Sequence, residues 1–219
     1  MSRRLFFYAL LAIPGFAQDS GTVSVSELRH PLSAKSKKIL ALAQRASERG
    51  EYGKAIEILR SSFDDAAAVP YARTNIGVAY VKAGDPGSAV PEFQEAARLM
   101  PDYAVAHANL AFALLLTRQL DSADRECRRA LALDRGNVKA RWIMGSILVN
   151  EGSHLDEAVE DLRFASREMP RAKVVLAQAY ERSGQRDEAA RELREFLPEA
   201  SGEDRVRVEQ WLGRLALKQ

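Results

Sequence analysis

Cysteine is nearly absent from this chain: Cys127 is the only one in 219 residues, so no intrachain disulfide can form. A small apolar side chain buried in a helix is the expected role of that residue. Histidine is almost as scarce. His30, His107 and His154 each lack a second histidine, cysteine or paired carboxylate at metal-ligand spacing, which argues against a metal centre. Exposed or helix-capping roles are expected for His107, in a first helix, and His154, in a lengthened turn. There is no phosphate-binding glycine loop, nucleophile elbow or zinc-protease motif. Glu157, Glu160 and Asp161 sit among arginines, where ion pairing on a helix surface accounts for them without catalysis. No enzyme, cofactor or metal is therefore expected.

An excess of charge of either sign is also missing. The chain carries 32 basic and 30 acidic side chains. The basic stretch containing Arg118, Arg125, Arg128, Arg129, Arg135, Lys139 and Arg141 is interleaved with Asp121, Asp124, Glu126 and Asp134, as on a solvated helix face. Nucleic acid is not an expected partner. The apolar stretch near the start, counted from Leu5 to Ala17, has 13 residues, short of the roughly 18 that span a bilayer. Arg3 and Arg4 precede it, Pro14-Gly15 interrupts it, and Gly15 and Ala17 place small residues at a cleavage site. This is the layout of a secretory signal over residues 1–17, cut after Ala17, with no following cysteine for lipid attachment. Its removal would leave 30 basic against 30 acidic side chains. The expectation is an exported protein, periplasmic or secreted, with no membrane span after cleavage.

What the chain does have is a period. Gly50, Gly84, Arg118 and Gly152 stand 34 apart, as do Ala43, Gly77, Ala111 and Gly145, and Ala46, Tyr80, Leu114 and Leu148. Ala55, Ala89 and Ala123 keep the same interval. A stack of like units needs such a restart, because each unit offers the same contacts to the next. In the clearest unit, about 70 to 101, Pro70 suits a first helical turn and Ile76, Gly77 and Tyr80 share a face. Gly84 can take the left-handed conformation that ends a helix. A second helix then carries Ala89, Phe93, Ala96 and Ala97 and stops before Pro101. Gly77 and Ala89 are small where two antiparallel helices approach most closely, and Phe93 and Tyr80 fill the space beside them.

Ile76, Gly77, Tyr80, Gly84, Ala89, Phe93, Ala96 and Pro101 together resemble the tetratricopeptide repeat, the 34-residue helix–turn–helix module. Units from about 36, 104, 138 and 171 fit with departures. The first lacks the large residue after its small one, Arg118 replaces a turn glycine, the turn after Gly152 is one residue longer, and the last unit begins two residues early. The resemblance implies an all-α fold, a right-handed superhelical solenoid of about five antiparallel helix pairs over residues 36–198. Residues 18–35 read as a flexible leader. Within 199–219, Ser201 to Asp204 reads as a helix start, and Val208, Trp211, Leu212 and Leu215 form the apolar stripe of a C-terminal capping helix.

The resemblance further implies that the first helices of successive repeats line a concave groove for a peptide segment or helix of a partner protein. The residues expected to face it are Tyr71, Thr74, Asn75 and Val78, then Val105, Ala108, Asn109 and Phe112, then Lys139, Trp142, Ile143 and Ser146. Asn75 and Asn109 are equivalent, and a side-chain amide can donate to and accept from an extended backbone at once. The alternative for an asparagine is a bond to its own helix or to water. Tyr71, Phe112 and Trp142 would supply the aromatic area of an interaction hot spot. Trp142 lies one residue after the position where this family often carries tryptophan, and the alternative there is packing between helices. Carboxyl-terminal capture by a cation cluster is not expected, since only Lys139 is suitably placed. The function the resemblance implies is that of an adaptor or scaffold; related exported modules serve the assembly of envelope machines, secretion systems or cofactor-bearing proteins, and the sequence does not select among these. A homo-oligomer built through repeat surfaces, without a separate ligand, is the alternative.

Overall fold

The computed structural model describes residues 31–217, and the expected signal segment, most of the leader and His30 lie outside them. The described residues form eleven α-helices and no strand. They divide into two compact units, the first ending at Arg135 and the second beginning at Gly136.

The first unit holds α1 (Ala34–Glu48), α2 (Tyr52–Arg60), α3 (Val69–Lys82), α4 (Pro86–Leu99), α5 (Ala104–Leu116) and α6 (Leu120–Leu133). The second holds α7 (Val138–Glu151), α8 (Leu155–Ser166), α9 (Ala172–Arg182), α10 (Arg186–Phe196) and α11 (Gly202–Ala216). Consecutive helices pack as hairpins, α1 on α2, α3 on α4, α5 on α6, α7 on α8 and α9 on α10. Each second helix packs on the next first helix within its unit, and first helices also touch: α1 with α3, α3 with α5, α7 with α9.

The 34-residue period has a direct structural cause. Gly50, Gly84, Gly152 and Gly184 take positive φ and let the chain reverse at the end of a first helix. Arg118 adopts φ 64° at the equivalent point, so the turn survives without its glycine. The same backbone bond closes four of these turns. The N–H groups of Glu51, Asp85, Gln119 and Gln185 donate to the carbonyls of Ala46, Tyr80, Leu114 and Tyr180 at 2.8–2.9 Å. These bonds satisfy carbonyls that the helix end would leave without a donor.

The small-residue seam is equally physical. A Cβ built on Gly77 would stand 2.6 Å from the Phe93 ring, and one on Gly145 would stand 2.5 Å from Leu162 Cγ. Glycine at these positions is what lets paired helices come this close. Ala43, Ala55, Ala89, Ala111, Ala123 and Ala158 complete the seam and are buried, as is Cys127. In the second unit α11 starts after Ser201 and packs on α10. Val208, Trp211 and Leu215 are buried; Trp211 Nε1 donates to Glu181 Oε2 at 3.0 Å, and Arg171 pairs with Asp204 at 2.9 Å.

Candidate functional site

In the first unit, the expected groove residues occupy α3 and α5, whose adjacency brings their like-numbered turns side by side. Asn75 is exposed and Val78 half-buried, so α3 presents both toward solvent. The Asn75 Nδ2 donates to the Tyr71 carbonyl of its own helix at 2.9 Å. That bond uses one of the amide's two N–H donors and steadies the side chain, leaving the other N–H and the oxygen for a further partner. Thr74 is buried and its hydroxyl donates to the Pro70 carbonyl at 2.9 Å.

Tyr71 takes a different place from the one its spacing suggests. It is buried in a core cluster with Ala96, Ala97, Met100, Tyr103 and Ala106, and its ring meets Tyr103 edge-on at 5.4 Å. The turn between α4 and α5 carries Tyr103 over the start of α3, a long-range effect that helical periodicity does not encode. On α5, Val105 is half-buried and Ala108, Asn109 and Phe112 are buried.

In the second unit, Lys139 is half-buried on α7, and Trp142, Ile143 and Ser146 are buried. Trp142 is 1% exposed. Ser146 donates to the Trp142 carbonyl at 2.7 Å. The hydroxyl of a helical serine commonly satisfies itself this way when no other acceptor is in reach.

A second periodic feature, which the spacing of small residues had obscured, is a ladder of ion pairs across the hairpins. Eleven residues before each turn residue stand Arg73, His107, Arg141 and Lys173; eight residues after it stand Glu92, Glu126 and Glu192, with Asp161 at nine because its turn is longer. Arg73 bonds Glu92 at 2.8 Å, His107 bonds Glu126 at 2.7 Å and Arg141 bonds Asp161 at 2.7 Å. Lys173 bonds Glu195, one helical turn beyond Glu192, at 2.5 Å. The first hairpin has Ile39 and Ile58 at the two positions, so the ladder begins at the second. The expectation of an exposed or capping His107 is corrected here: the residue is buried because its ring spans α5 and α6. His154 is exposed, with φ 47°, at the start of α8, and its side chain makes no capping bond.

Burial is the largest influence on two carboxylates at these positions, Asp161 and Glu192, whereas the bond from Lys173 holds Glu195 below the ordinary glutamate range. Desolvation pushes the Asp161 carboxyl above the ordinary aspartate range, although the Arg141 guanidinium beside it pulls the other way. Burial likewise raises Glu192, with the Glu195 charge adding to it. Arg141 also lies over the Phe164 ring, 4.6 Å from its centroid, and Arg73 over the Phe63 ring at 5.0 Å. A cleft of about 450 Å³ beside Arg141 is lined by Asp156, Val159, Glu160, Arg163, Phe164 and Arg167. Among the described residues no group of three His, Cys, Asp or Glu side chains could hold a metal ion, and no helix is long and apolar enough to cross a membrane.

The sequence profile of the tetratricopeptide repeat family matches residues 80–144. No curated protein shows significant sequence similarity. Among solved structures, the thermophilic tetratricopeptide protein TTC0263 of Thermus thermophilus is similar at 18% identity and a TM-score of 0.65, over 83% of this chain and 99% of that one. MamA of Desulfovibrio magneticus RS-1 is similar at 20% identity and 0.59, over 76% and 95%. YrrB, a tetratricopeptide protein with an unusual peptide-binding site, is similar at 21% identity and 0.55, over 73% and 84%. At these identities the likeness is one of fold.

Proposed function

From the premise that this chain is a tetratricopeptide-repeat protein, we propose that it is an exported adaptor whose repeat array takes a peptide segment or helix of another protein. The observation that carries the reading is the lateral contact between first helices, α1 with α3 and α3 with α5 in one unit and α7 with α9 in the other. Helices so arranged offer equivalent turns in register, as binding along an extended segment requires. Asn75 supplies a steadied amide and Val78 apolar area on the same face of α3. That a structural neighbour has a peptide-binding site supports the same direction. The basic, apolar and small-residue order of positions 3–17 supports export, and with it a role in envelope or secretion assembly.

Affinity capture from the exported fraction of the native cell tests this, with residues 18–219 as bait and an Asn75→Ala, Val78→Ala variant as control. Both positions have solvent access, so the variant is expected to fold. A partner held by the wild type and lost by the folded variant is the expected result. A partner held equally by both places binding elsewhere, and no partner with a concentration-dependent oligomer overturns the adaptor reading.

A further inference from the structure

Three positions of each first helix are covered in every repeat but the first. Immediately before the seam residue stand Ile76, Leu110, Met144 and Leu176. Four residues earlier stand Ala72, Ala106, Ala140 and Ala172, and three residues later Ala79, Ala113, Ile147 and Ala179. All of these are at most 4% exposed. In α3 the cover is the preceding second helix, since Ala72, Ile76 and Ala79 share a core cluster with Ile56 and Leu59 of α2. Among the described residues α1 is the first helix, and it differs. It keeps an apolar residue, Leu42, at the central position but places Lys38 and Arg45 one turn to either side. All three are exposed, Leu42 at 43%.

Lys35 extends this stripe by a further turn and is also exposed. Among the described residues Lys35, Lys38 and Arg45 have no ion-pair partner, while the acids nearby in sequence are engaged. Glu48 accepts from Gln44 at 3.1 Å, and Glu51 pairs with Arg49 and Lys54. Helix electrostatics does not call for this pattern. The first turn of α1 holds no acid, so Lys35 and Lys38 sit at the positive end of the helix dipole. Solubility of an end helix does not call for it either. The last helix, α11, begins with Glu203 and Asp204 and pairs its surface charges, Arg205 with Glu209 and Arg207 with Glu203.

We propose that the outer face of α1 receives an acidic amphipathic helix of another protein, lying where a preceding second helix would lie. The repeat equivalence gives the shape of the occupant, and the unpaired cations give its charge. Such a helix carries an apolar residue over Leu42 and a carboxylate one turn to each side, opposite Lys38 and Arg45. The stems of Lys38 and Arg45 add apolar area beside Leu42 while their charged ends reach the carboxylates. Asn75 and Val78 take no part, so this surface is independent of the groove.

Fluorescence anisotropy of the full chain with two labelled helical peptides tests the proposal. Both peptides have the same leucine stripe; one carries glutamate a turn to each side of it and the other lysine. The glutamate peptide is expected to bind at least about tenfold more tightly than the lysine peptide. A Lys38→Glu, Arg45→Glu variant should reverse that preference. Should it fail to fold, Lys38→Ala, Arg45→Ala installs alanine, the residue Ala72 and Ala79 supply in the next repeat, and should bind both peptides alike. The Asn75→Ala, Val78→Ala variant should bind as the wild type does, which separates this site from the groove. Equal binding of the two peptides by the wild type, no binding of either, or a preference unchanged by both α1 variants overturns the proposal. Binding to phosphatidylglycerol vesicles without binding to the glutamate peptide also overturns it, and assigns the stripe to a membrane surface.

Discussion

Replacing Gly145 by alanine puts the packing account at risk in a single atom. Alanine is the better helix former by about 1 kcal/mol, so on propensity alone the change should stabilise α7. The geometry opposes it. The new Cβ would lie 2.5 Å from Leu162 Cγ, 3.0 Å from Leu162 Cδ2 and 3.1 Å from the Ala158 carbonyl oxygen. Leu162 is fully buried and the carbonyl belongs to the α8 backbone, so neither can swing aside. Overpacking of this kind costs about 1–3 kcal/mol, and the fixed neighbours put it at about 2–3. Subtracting the propensity gain leaves a loss of about 1–2 kcal/mol, or about 2–8 °C in Tm for a chain of this size. Gly213 in α11 is the internal control: nothing lies within 4 Å of its Cβ position, so Gly213→Ala should raise Tm by about 2–4 °C. Melts followed by circular dichroism at the helical band measure both. Adding Leu162→Ala to Gly145→Ala should cost less than the two single losses summed, since the first makes room for the second. If Gly145→Ala stabilises as Gly213→Ala does, the close approach of α7 and α8 is not what fixes glycine there.

Three further outcomes follow from the second unit. The Asp161 carboxyl, raised by burial, should titrate above the ordinary aspartate value in a ¹³C carboxyl experiment, and a midpoint at or below that value contradicts the burial account. Because the folded state binds that proton more readily than the unfolded chain, the wild type should lose stability relative to Asp161→Asn as pH rises from about 4 through the raised value. Trp211→Phe keeps most of the apolar area of α11 but removes the bond to Glu181, so about 1 kcal/mol is expected, against about 3–5 for Trp211→Ala; equal losses would mean that packing is not what holds α11.

The parts legible in the sequence are those set by local chemistry repeated at a fixed interval. Gly84 at a left-handed turn and Gly77 against Phe93 each follow from what a neighbouring residue in the same hairpin must be. Tyr71 was not legible as a core residue, because Tyr103 reaches it from the next repeat and its helical face alone points elsewhere. His107 was obscured for a related reason. A lone histidine carries no motif, and its role appears only when its 34-residue counterparts Arg73 and Arg141 are seen bonded to the following helix. Arg118 shows the limit of composition: hydrogen bonds around the turn hold a left-handed residue even where glycine is missing.

The central claim is that the face formed by adjoining first helices receives a partner segment. Photo-crosslinking tests it most directly, with a benzophenone side chain placed at Asn75 on α3 or at Arg125 on α6, both exposed and in the same unit. A partner adduct from position 75 and none from position 125 is the predicted result. Adducts from position 125 alone would contradict it.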